Sequence, residues 1–212
     1  MLRSTDIQKQ LERGQILLKM TSCSAFENIK VLSLRDLQLT TVFAYITKCV
    51  NLQILFLSGN KIAPMDIKKH MCKLKSVRKL DLSLNNLVDL PRECSYFEKM
   101  ESLEFLVLNY NNISSAENLV GLRGAPNLHY LSLTDNPIQE NYLSCRYEIA
   151  GLLPGLLALD QNVVTYDERI KHLYNRSIRY CSLSTFSKLD EATTRSFVAD
   201  FPASKHLQLF EE

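Results

Sequence analysis

Apolar residues recur along this chain in five stretches that share one spacing. Each stretch is apolar at its first, fourth, sixth and eleventh positions, and four of the five carry asparagine at the ninth. The stretches begin at Ile29, Leu52, Val77, Leu103 and Leu128, so consecutive starts lie 23, 25, 26 and 25 residues apart. The third to fifth positions of each stretch predict one short β-strand with a buried central side chain. The regular period predicts a stack of repeated units, in which each unit buries its apolar edge against its neighbours.

The pattern L-x-x-L-x-L-x-x-N-x-L resembles that of leucine-rich-repeat proteins. The resemblance implies an α/β fold, a right-handed solenoid with a short-stranded parallel sheet on its concave face and helices and turns on its convex face. We expect the leucines of the fourth and sixth positions to stack as two ladders. The predicted parts are an N-terminal helical cap (1–28), five repeats (29–139), a C-terminal cap with a partial sixth repeat (140–169) and a C-terminal extension (170–212).

The asparagines at the ninth positions predict a structural ladder. The turn after each strand leaves buried backbone groups that need hydrogen-bond partners, and an amide side chain both donates and accepts. The first repeat has Leu37 at this position, which is expected because terminal repeats are atypical. The predicted ladder consists of Asn60, Asn85, Asn111 and Asn136.

Both ends of the array carry candidate caps. An apolar side on residues 4–20 predicts a helix over the first strand, with Ser4, Thr5 or Asp6 as its N-cap. Between the strands, the glycines around Leu122 predict irregular coil or a single turn. Beyond Ile138, the segment ENYLSCRYEIAGLLPGLLALDQNVVTYDERI closely resembles the C-terminal cap of intracellular leucine-rich-repeat proteins, although the order Arg-Tyr reverses the usual one.

The resemblance to this capped class carries expectations about function. The class includes regulators of protein phosphatase 1, a spliceosomal leucine-rich subunit, an outer-arm dynein light chain and several axonemal proteins. The runs DLPRECSYFEKMESLEFLVLNYNNI and LDQNVVTYDERI most resemble the leucine-rich repeat and IQ-motif-containing proteins associated with cilia. The chain has no IQ-type segment, so calmodulin binding is not expected.

The third, fifth and eighth positions of each repeat should face the concave side. Apolar residues recur there, and a contiguous apolar patch on a solvent-facing surface marks an interaction site. In the alternative, the aromatic side chains pack on one another, or lie beneath the N-terminal helix or the C-terminal tail. The predicted partner-binding residues of the concave face are Val31, Ile54, Phe56, Leu84, Phe105, Val107, Tyr110 and Tyr130.

Residues 170–212 do not continue the repeat. Basic and aromatic side chains alternate there, a composition suited to an acidic protein surface or to stacking on nucleic acid. In the alternative, the tail lies back along its own domain or along a neighbouring protein. The predicted partner-binding residues of the tail are Lys171, Tyr174, Arg176, Arg179, Tyr180 and Phe186.

Composition narrows the class of partner. The formal net charge is +2, whereas nucleic-acid-binding domains are usually strongly basic, so nucleic acid is not an expected partner. The sequence has no run of 18 apolar residues, and no membrane span is expected. The six cysteines are scattered, as is typical of a reduced, intracellular protein.

No catalytic site, cofactor, metal or small-molecule substrate is expected. The four histidines are dispersed, and no phosphate-binding glycine loop occurs. Asp81 and Asp160 lie in the register of the concave strands, and each is expected to be a surface acid rather than half of a carboxylate pair.

These features favour a non-catalytic protein–protein interaction scaffold. The resemblance to ciliary proteins points to a docking or structural component of the ciliary or flagellar axoneme, with partners held by the concave face and the tail. The alternatives are a regulatory subunit of an enzyme such as protein phosphatase 1, and a ribonucleoprotein subunit.

Overall fold

Short strands joined in chain order form the centre of the molecule. The computed structural model describes residues 15–63, 70–90 and 95–171. Five three-residue strands coincide with positions three to five of the repeats: β1 Val31–Ser33, β2 Ile54–Phe56, β3 Lys79–Asp81, β4 Phe105–Val107 and β5 Tyr130–Ser132. β6 Ala158–Leu159 extends the sheet in parallel, and β7 Asn162–Val163 pairs with β6 in the antiparallel sense. The predicted α/β solenoid with a parallel sheet is confirmed, while the antiparallel β7 was not predicted.

The leucines of the fourth and sixth positions form two buried rows. Leu55, Leu80 and Leu106 are direct register partners across β2, β3 and β4, and each is at most 1% exposed. The sixth-position leucines are equally buried, from Leu34 at 0% to Leu133 at 1%. Because burial of one such side chain contributes about 1.5–3 kcal/mol, these two rows hold the strands in a single register.

The asparagines of the ninth positions lie between neighbouring repeats, each 5% exposed. Asn85 shows the arrangement. Its Nδ2 donates to Leu82 O in its own turn and to Leu57 O in the preceding repeat, both at 3.0 Å, and its Oδ1 accepts from Ile62 N–H at 3.0 Å. Equivalent bonds are made by Asn60, Asn111 and Asn136. Each amide therefore closes its own turn and ties it to the previous one.

A second set of side chains joins the repeats at the opposite ends of the strands. The residue before the first repeat position donates to a backbone carbonyl of the preceding repeat. The three bonds run from Asn51 Nδ2 to Glu27 O at 2.9 Å, from Ser76 Oγ to Val50 O at 2.7 Å and from Asn127 Nδ2 to Glu101 O at 2.6 Å. This ladder was not predicted, because asparagine and serine are common in any turn.

Helical segments lie between the strands. The α-helices are α1 Gln15–Thr21, α2 Ser95–Glu98 and α3 Tyr142–Leu152, and the 3-10 helices are Phe26–Asn28, Ala44–Lys48, Met71–Lys73, Ala116–Gly124 and Pro137–Asn141. The expectation of coil or a single turn around Leu122 is wrong, since nine residues form a 3-10 helix there. A capping box between Ser115 and Asn118 starts this helix, and Leu119 and Leu122 anchor it in the core.

The N-terminal cap is described in part. Leu17 of α1 is 0% exposed, so the described part of the predicted helix packs on the core. The proposed N-cap residues Ser4, Thr5 and Asp6 lie outside the described residues.

A buried arginine holds the C-terminal cap. Arg146 in α3 is 5% exposed, donates to Leu159 O at 3.1 Å and Val163 O at 2.7 Å, and forms an ion pair with Glu168. The reversed Arg-Tyr order thus places the arginine inside and leaves Tyr147 half-buried. By binding carbonyls of β6 and β7, Arg146 fixes the last strands of the sheet.

The charge of Glu168 is stabilised in this cap. Burial raises the pKa of Glu168, but hydrogen bonds from Arg146 and Thr165 and the positive charge of Arg146 outweigh that effect and lower the pKa overall. Arg169, which donates to Ala150 O at 3.2 Å, has its own pKa lowered by burial. The cap therefore depends on an ionised Glu168 to balance buried positive charge.

We expect Asn111→Ala to destabilise the protein by about 3 kcal/mol, since each buried polar group left without a partner costs about 1–3 kcal/mol. Urea unfolding followed by circular dichroism measures the change. The exposed neighbour provides the matched control, and Asn112→Ala should alter the free energy of unfolding by less than about 0.5 kcal/mol. Equal losses in the two variants would contradict the proposed role of the ladder.

We expect Glu168→Gln to lower the free energy of unfolding by about 1–3 kcal/mol at pH 7, because Arg146 would keep its charge without an anionic partner. A lowered folded-state pKa stabilises the protein above the ordinary glutamate value of 4.5. That stabilisation disappears as the pH falls through the lowered value. The difference between wild type and variant, measured by urea unfolding, should therefore shrink towards zero as the pH falls below the ordinary value of 4.5. The exposed neighbour serves as control, and a pH-independent difference, or an equal effect of Asp167→Asn, would rule out this interpretation.

Candidate functional site

The outward side chains of β1–β6, with the turn residues at the seventh and eighth repeat positions, form the surface that we call the concave face. Parallel register places equal positions side by side. The third positions form one row, Val31, Ile54, Lys79, Phe105, Tyr130 and Ala158, and the fifth positions form another, Ser33, Phe56, Asp81, Val107 and Ser132.

All eight residues predicted for partner binding on the concave face lie within the described residues. Val31 is 52% exposed, and Leu84 and Tyr110 are each 54% exposed. The other five are half-buried: Ile54, Phe56, Phe105, Val107 and Tyr130. The face thus offers an apolar surface of which the larger part is already packed against its neighbours.

The rings of Phe105 and Tyr130 stack on each other. Their centroids are 4.3 Å apart and their planes differ by 3°, an arrangement worth about 0.5–1.5 kcal/mol beyond area burial. The alternative expectation, that concave aromatics pack together, therefore describes this pair. Because the two rings remain half-buried, the stack also presents a preorganised surface to solvent.

Arg35 covers Phe56 and neutralises Asp81. The Arg35 Cζ atom lies 4.0 Å from the centroid of the Phe56 ring, and its guanidinium is 3.3 Å from the Asp81 carboxylate. Asp81 also accepts bonds from the backbone and hydroxyl of Ser83. The expectation that Asp81 is a surface acid is wrong, since it is 9% exposed, and one face of Phe56 is occupied by the chain's own arginine.

Asp160 follows β6 in the row of the fifth positions. It is half-buried, so part of this acid remains at the surface, as expected. Its Oδ1 accepts from Leu133 N–H at 2.6 Å, and its Oδ2 accepts from Gln139 Nε2 at 3.1 Å. The described residues place no lysine, arginine or histidine within ion-pair distance of Asp160.

The eighth position of every repeat has left-handed backbone geometry. The φ angles are 56° at Asp36, 69° at Gly59, 53° at Leu84, 54° at Tyr110 and 57° at Asp135. Glycine and aspartate tolerate this backbone conformation, whereas for other residues it costs about 1–2 kcal/mol of conformational free energy. At Gly59 an added side chain would also make the Asp36 carboxylate move aside. Leu84 and Tyr110 are therefore strained and exposed at once.

Tyr110 has a partner across the next turn. Its hydroxyl donates to the Asp135 carboxylate, and this hydrogen bond, together with the charge of Asp135, raises the pKa of Tyr110.

Of the residues predicted for partner binding in the tail, only Lys171 lies within the described residues. Lys171 is exposed, and its Nζ lies 5.3 Å from the centroid of the Tyr147 ring, a distance at which the cation and the ring attract. The remaining tail residues lie outside the described residues: Tyr174, Arg176, Arg179, Tyr180 and Phe186.

Reactive groups are sparse in the described part of the chain. Burial raises the pKa of Cys49 to about 11 and that of Cys145 to about 12, so neither thiol ionises at neutral pH. Within residues 15–63, 70–90 and 95–171, no three histidine, cysteine or acidic side chains come together as a metal site. Across the same ranges, every helix is too short or too polar to cross a bilayer.

Comparison with known proteins agrees with this architecture. The family model for leucine-rich repeats matches residues 75–138, which hold the third, fourth and fifth repeats. The chain carries leucine-rich repeats. These repeats support a protein–protein interaction role, and proteins built from them are typically non-catalytic interaction modules.

Curated relatives share the repeats. Leucine-rich repeat and IQ domain-containing protein 3 of Rattus norvegicus is 28% identical over 126 residues, which are 58% of this chain and 19% of the relative. Centrosomal protein of 72 kDa of Mus musculus is 36% identical over 100 residues, which are 47% of this chain and 14% of the relative. The chain spans between 5% and 19% of the length of the curated relatives it matches. The predicted similarity to the IQ-containing proteins is confirmed.

A solved structure shares the fold. A chain of the Drosophila melanogaster SNF/U2A′ complex aligns with a TM-score of 0.59 and 20% identity, over 71% of this chain and 87% of that one. At this identity the likeness shows the leucine-rich-repeat fold alone.

We expect Leu84→Asn to raise the free energy of unfolding by about 0.5–1 kcal/mol, because asparagine relieves left-handed strain of about 1–2 kcal/mol while part of the leucine's burial is lost. Urea unfolding measures the gain. Val31 is equally exposed but lies in extended backbone, so Val31→Asn should give no gain. A loss of stability in Leu84→Asn would show that the leucine's contacts outweigh its strain.

Proposed function

We propose that this chain is a non-catalytic docking protein that holds a protein partner on its concave face, as a component of a ciliary or centrosomal assembly. The observation that carries the proposal is the gathering of apolar and aromatic side chains on one face of a sheet whose register is tightly held. Three of them, Val31, Leu84 and Tyr110, are more than half exposed. An exposed apolar surface of this kind marks an interaction site.

Preorganisation supports the same conclusion. The Phe105–Tyr130 stack holds two aromatic rings in place before any partner arrives. Binding costs fall when side chains are already ordered, since immobilising a free side chain costs about 0.5–1.5 kcal/mol. Tyrosine is also among the residues that most often dominate binding energies at protein interfaces. A modest apolar area can therefore support a specific complex.

The cellular assembly is inferred from the relatives. One relative is named as a centrosomal protein, and another belongs to the leucine-rich repeat and IQ domain-containing proteins that the sequence resembles. The name of the first relative supports a centrosomal setting, and the resemblance of the sequence to ciliary leucine-rich repeat and IQ-motif-containing proteins supports a ciliary one. The alternatives raised by the sequence, a phosphatase regulator and a ribonucleoprotein subunit, predict different partners and are separated by the same experiment.

We expect Phe105→Ala combined with Tyr130→Ala to abolish partner capture while leaving the circular dichroism spectrum unchanged. Truncation of a central interface aromatic commonly costs 2 kcal/mol or more, so capture should fall at least about 30-fold. The measurement is recovery of partners by the immobilised full chain from salt extracts of isolated axonemes and centrosomes, with identification by mass spectrometry.

The control substitutes exposed apolar residues outside the sheet. Val50 and Val88 are 57% and 52% exposed, so Val50→Ala with Val88→Ala should leave capture intact. Undiminished capture by the concave variant would remove the docking site from this face. Recovery of a phosphatase catalytic subunit, or recovery that depends on intact RNA, would instead favour one of the two alternatives.

A further inference from the structure

The chain contains its own example of how its concave face binds an arginine. Arg35 at position seven of the first repeat lies over Phe56 at position five of the second and pairs with Asp81 at position five of the third. One planar guanidinium is thus bound by two groups. Its flat side stacks on the aromatic ring, and the N–H groups at its edge bond to the carboxylate.

The same row ends in a second carboxylate whose arginine is missing. Asp160 lies at position five of the partial sixth repeat, three repeats after Asp81. Arg35 lies at position seven, two repeats before Asp81, and the residue at position seven two repeats before Asp160 is Asn109. The Oδ1 atom of Asn109 is buried and has no hydrogen-bond partner among the described residues. Asp160 accepts only from neutral donors. Its Oδ2 accepts one such bond, and a carboxylate oxygen has two acceptor sites.

An aromatic face is open beside this carboxylate. Tyr130 stacks on Phe105 of the preceding strand at a centroid distance of 4.3 Å, so the other side of its ring faces the following strand. The register partner of Tyr130 on that strand is Ala158, whose methyl group is too small to cover a ring. Tyr130 and Ala158 lie in the row of the third positions, and Asp160 follows two residues later in the row of the fifth positions on the same face. The space above Ala158 is thus bordered by the Tyr130 ring on one side and by Asp160 further along the same strand.

We propose that this space, the Tyr130–Ala158–Asp160 site, receives an arginine of the protein partner. The guanidinium stacks on the open face of Tyr130 above Ala158 and bonds to Asp160, so it meets the same two kinds of group, an aromatic ring and a carboxylate, that Arg35 meets in Phe56 and Asp81. The ring is at position three here, because position five of repeat five is Ser132. The site deepens the docking function proposed above and rests on it, because the partner is the protein held by the concave face.

Charge and shape favour arginine over other side chains. Asp135 and Asp160 contribute two carboxylates at this end of the face, and the described residues give neither of them an ion pair. A cation on an aromatic face is attracted by the ring, and the planar guanidinium, unlike an ammonium group, stacks and bonds to a carboxylate in the same pose.

The test titrates the full-length, ¹⁵N-labelled chain with the peptide acetyl-Ala-Arg-Ala-amide and records two-dimensional NMR spectra. We expect saturable shifts at the amides of Tyr130, Ala158 and Asp160 and at the ring protons of Tyr130. The matched peptide with neutral citrulline in place of arginine should bind at least about tenfold more weakly, since the ion pair is lost. Equal shifts with the two peptides, equal binding by a lysine peptide, or no saturable shift would each overturn the proposal.

Variants of the chain locate the interaction. Asp160→Asn should weaken arginine-peptide binding at least about tenfold, and Ala158→Leu should block it by filling that space. Asp36→Asn, which removes an exposed carboxylate from the other end of the face, is the matched control and should have no effect. In Asn109→Arg, the chain's own new arginine should pair with Asp160 and abolish binding of the arginine peptide. If Asp160→Asn and Asp36→Asn behave alike, the site is not at Asp160.

The chain's own tail is the competing occupant. If Arg176→Gln or Arg179→Gln in the free protein shifts the Tyr130, Ala158 and Asp160 amides, an internal arginine fills the site and a partner's does not. The two proposals also fail separately. Partner capture that is lost in the Phe105 and Tyr130 double variant but unchanged in Asp160→Asn would retain the docking face and remove the arginine site.

Discussion

Strand register is the constraint on which the rest of this structure depends. Neighbouring strands lie about 4.8 Å apart, so residues at equal repeat positions become direct neighbours only while the register holds. The buried leucine rows favour that register through apolar burial, and amides such as Asn85 forbid slippage because each bonds backbone groups of two repeats. A shift by one residue would leave those groups buried without partners. The positions of the strand residues on the concave face therefore follow from the packing beneath them.

Both ends of the concave face carry an aromatic ring and a carboxylate, but the described residues supply a cation to these groups at one end alone. In repeats one to three, Arg35, Phe56 and Asp81 satisfy one another, and that part of the row is closed. Towards the C-terminal cap, the described residues supply no such cation to Tyr130 and Asp160. Arg146 anchors the last strands through their carbonyls and thereby fixes Asp160 beside β6. The cap thus contributes to the candidate binding surface as well as to stability.

The fold could be predicted from local patterns, whereas much of the site could not. Leu80 and Asn85 are recognisable because their spacing recurs within one repeat and each has a single physical role. The Arg35–Asp81 pair spans 46 residues, and no local pattern indicates that a charged strand residue will be buried. The Phe105–Tyr130 stack likewise requires knowledge of register and rotamer, and the ladder that includes Asn51 is visible only once the strands are aligned.

The eighth repeat position shows how stability and binding diverge in this protein. Its left-handed backbone suits Asp36, Gly59 and Asp135, and the same repeat geometry would be stable with such residues throughout. Leu84 and Tyr110 depart from that choice in two adjacent repeats, where both side chains are mostly exposed and so recover little through burial. Backbone strain that is not offset by side-chain burial is typical of functional surfaces. The two residues extend the apolar surface of the concave face into the turns that follow the strands.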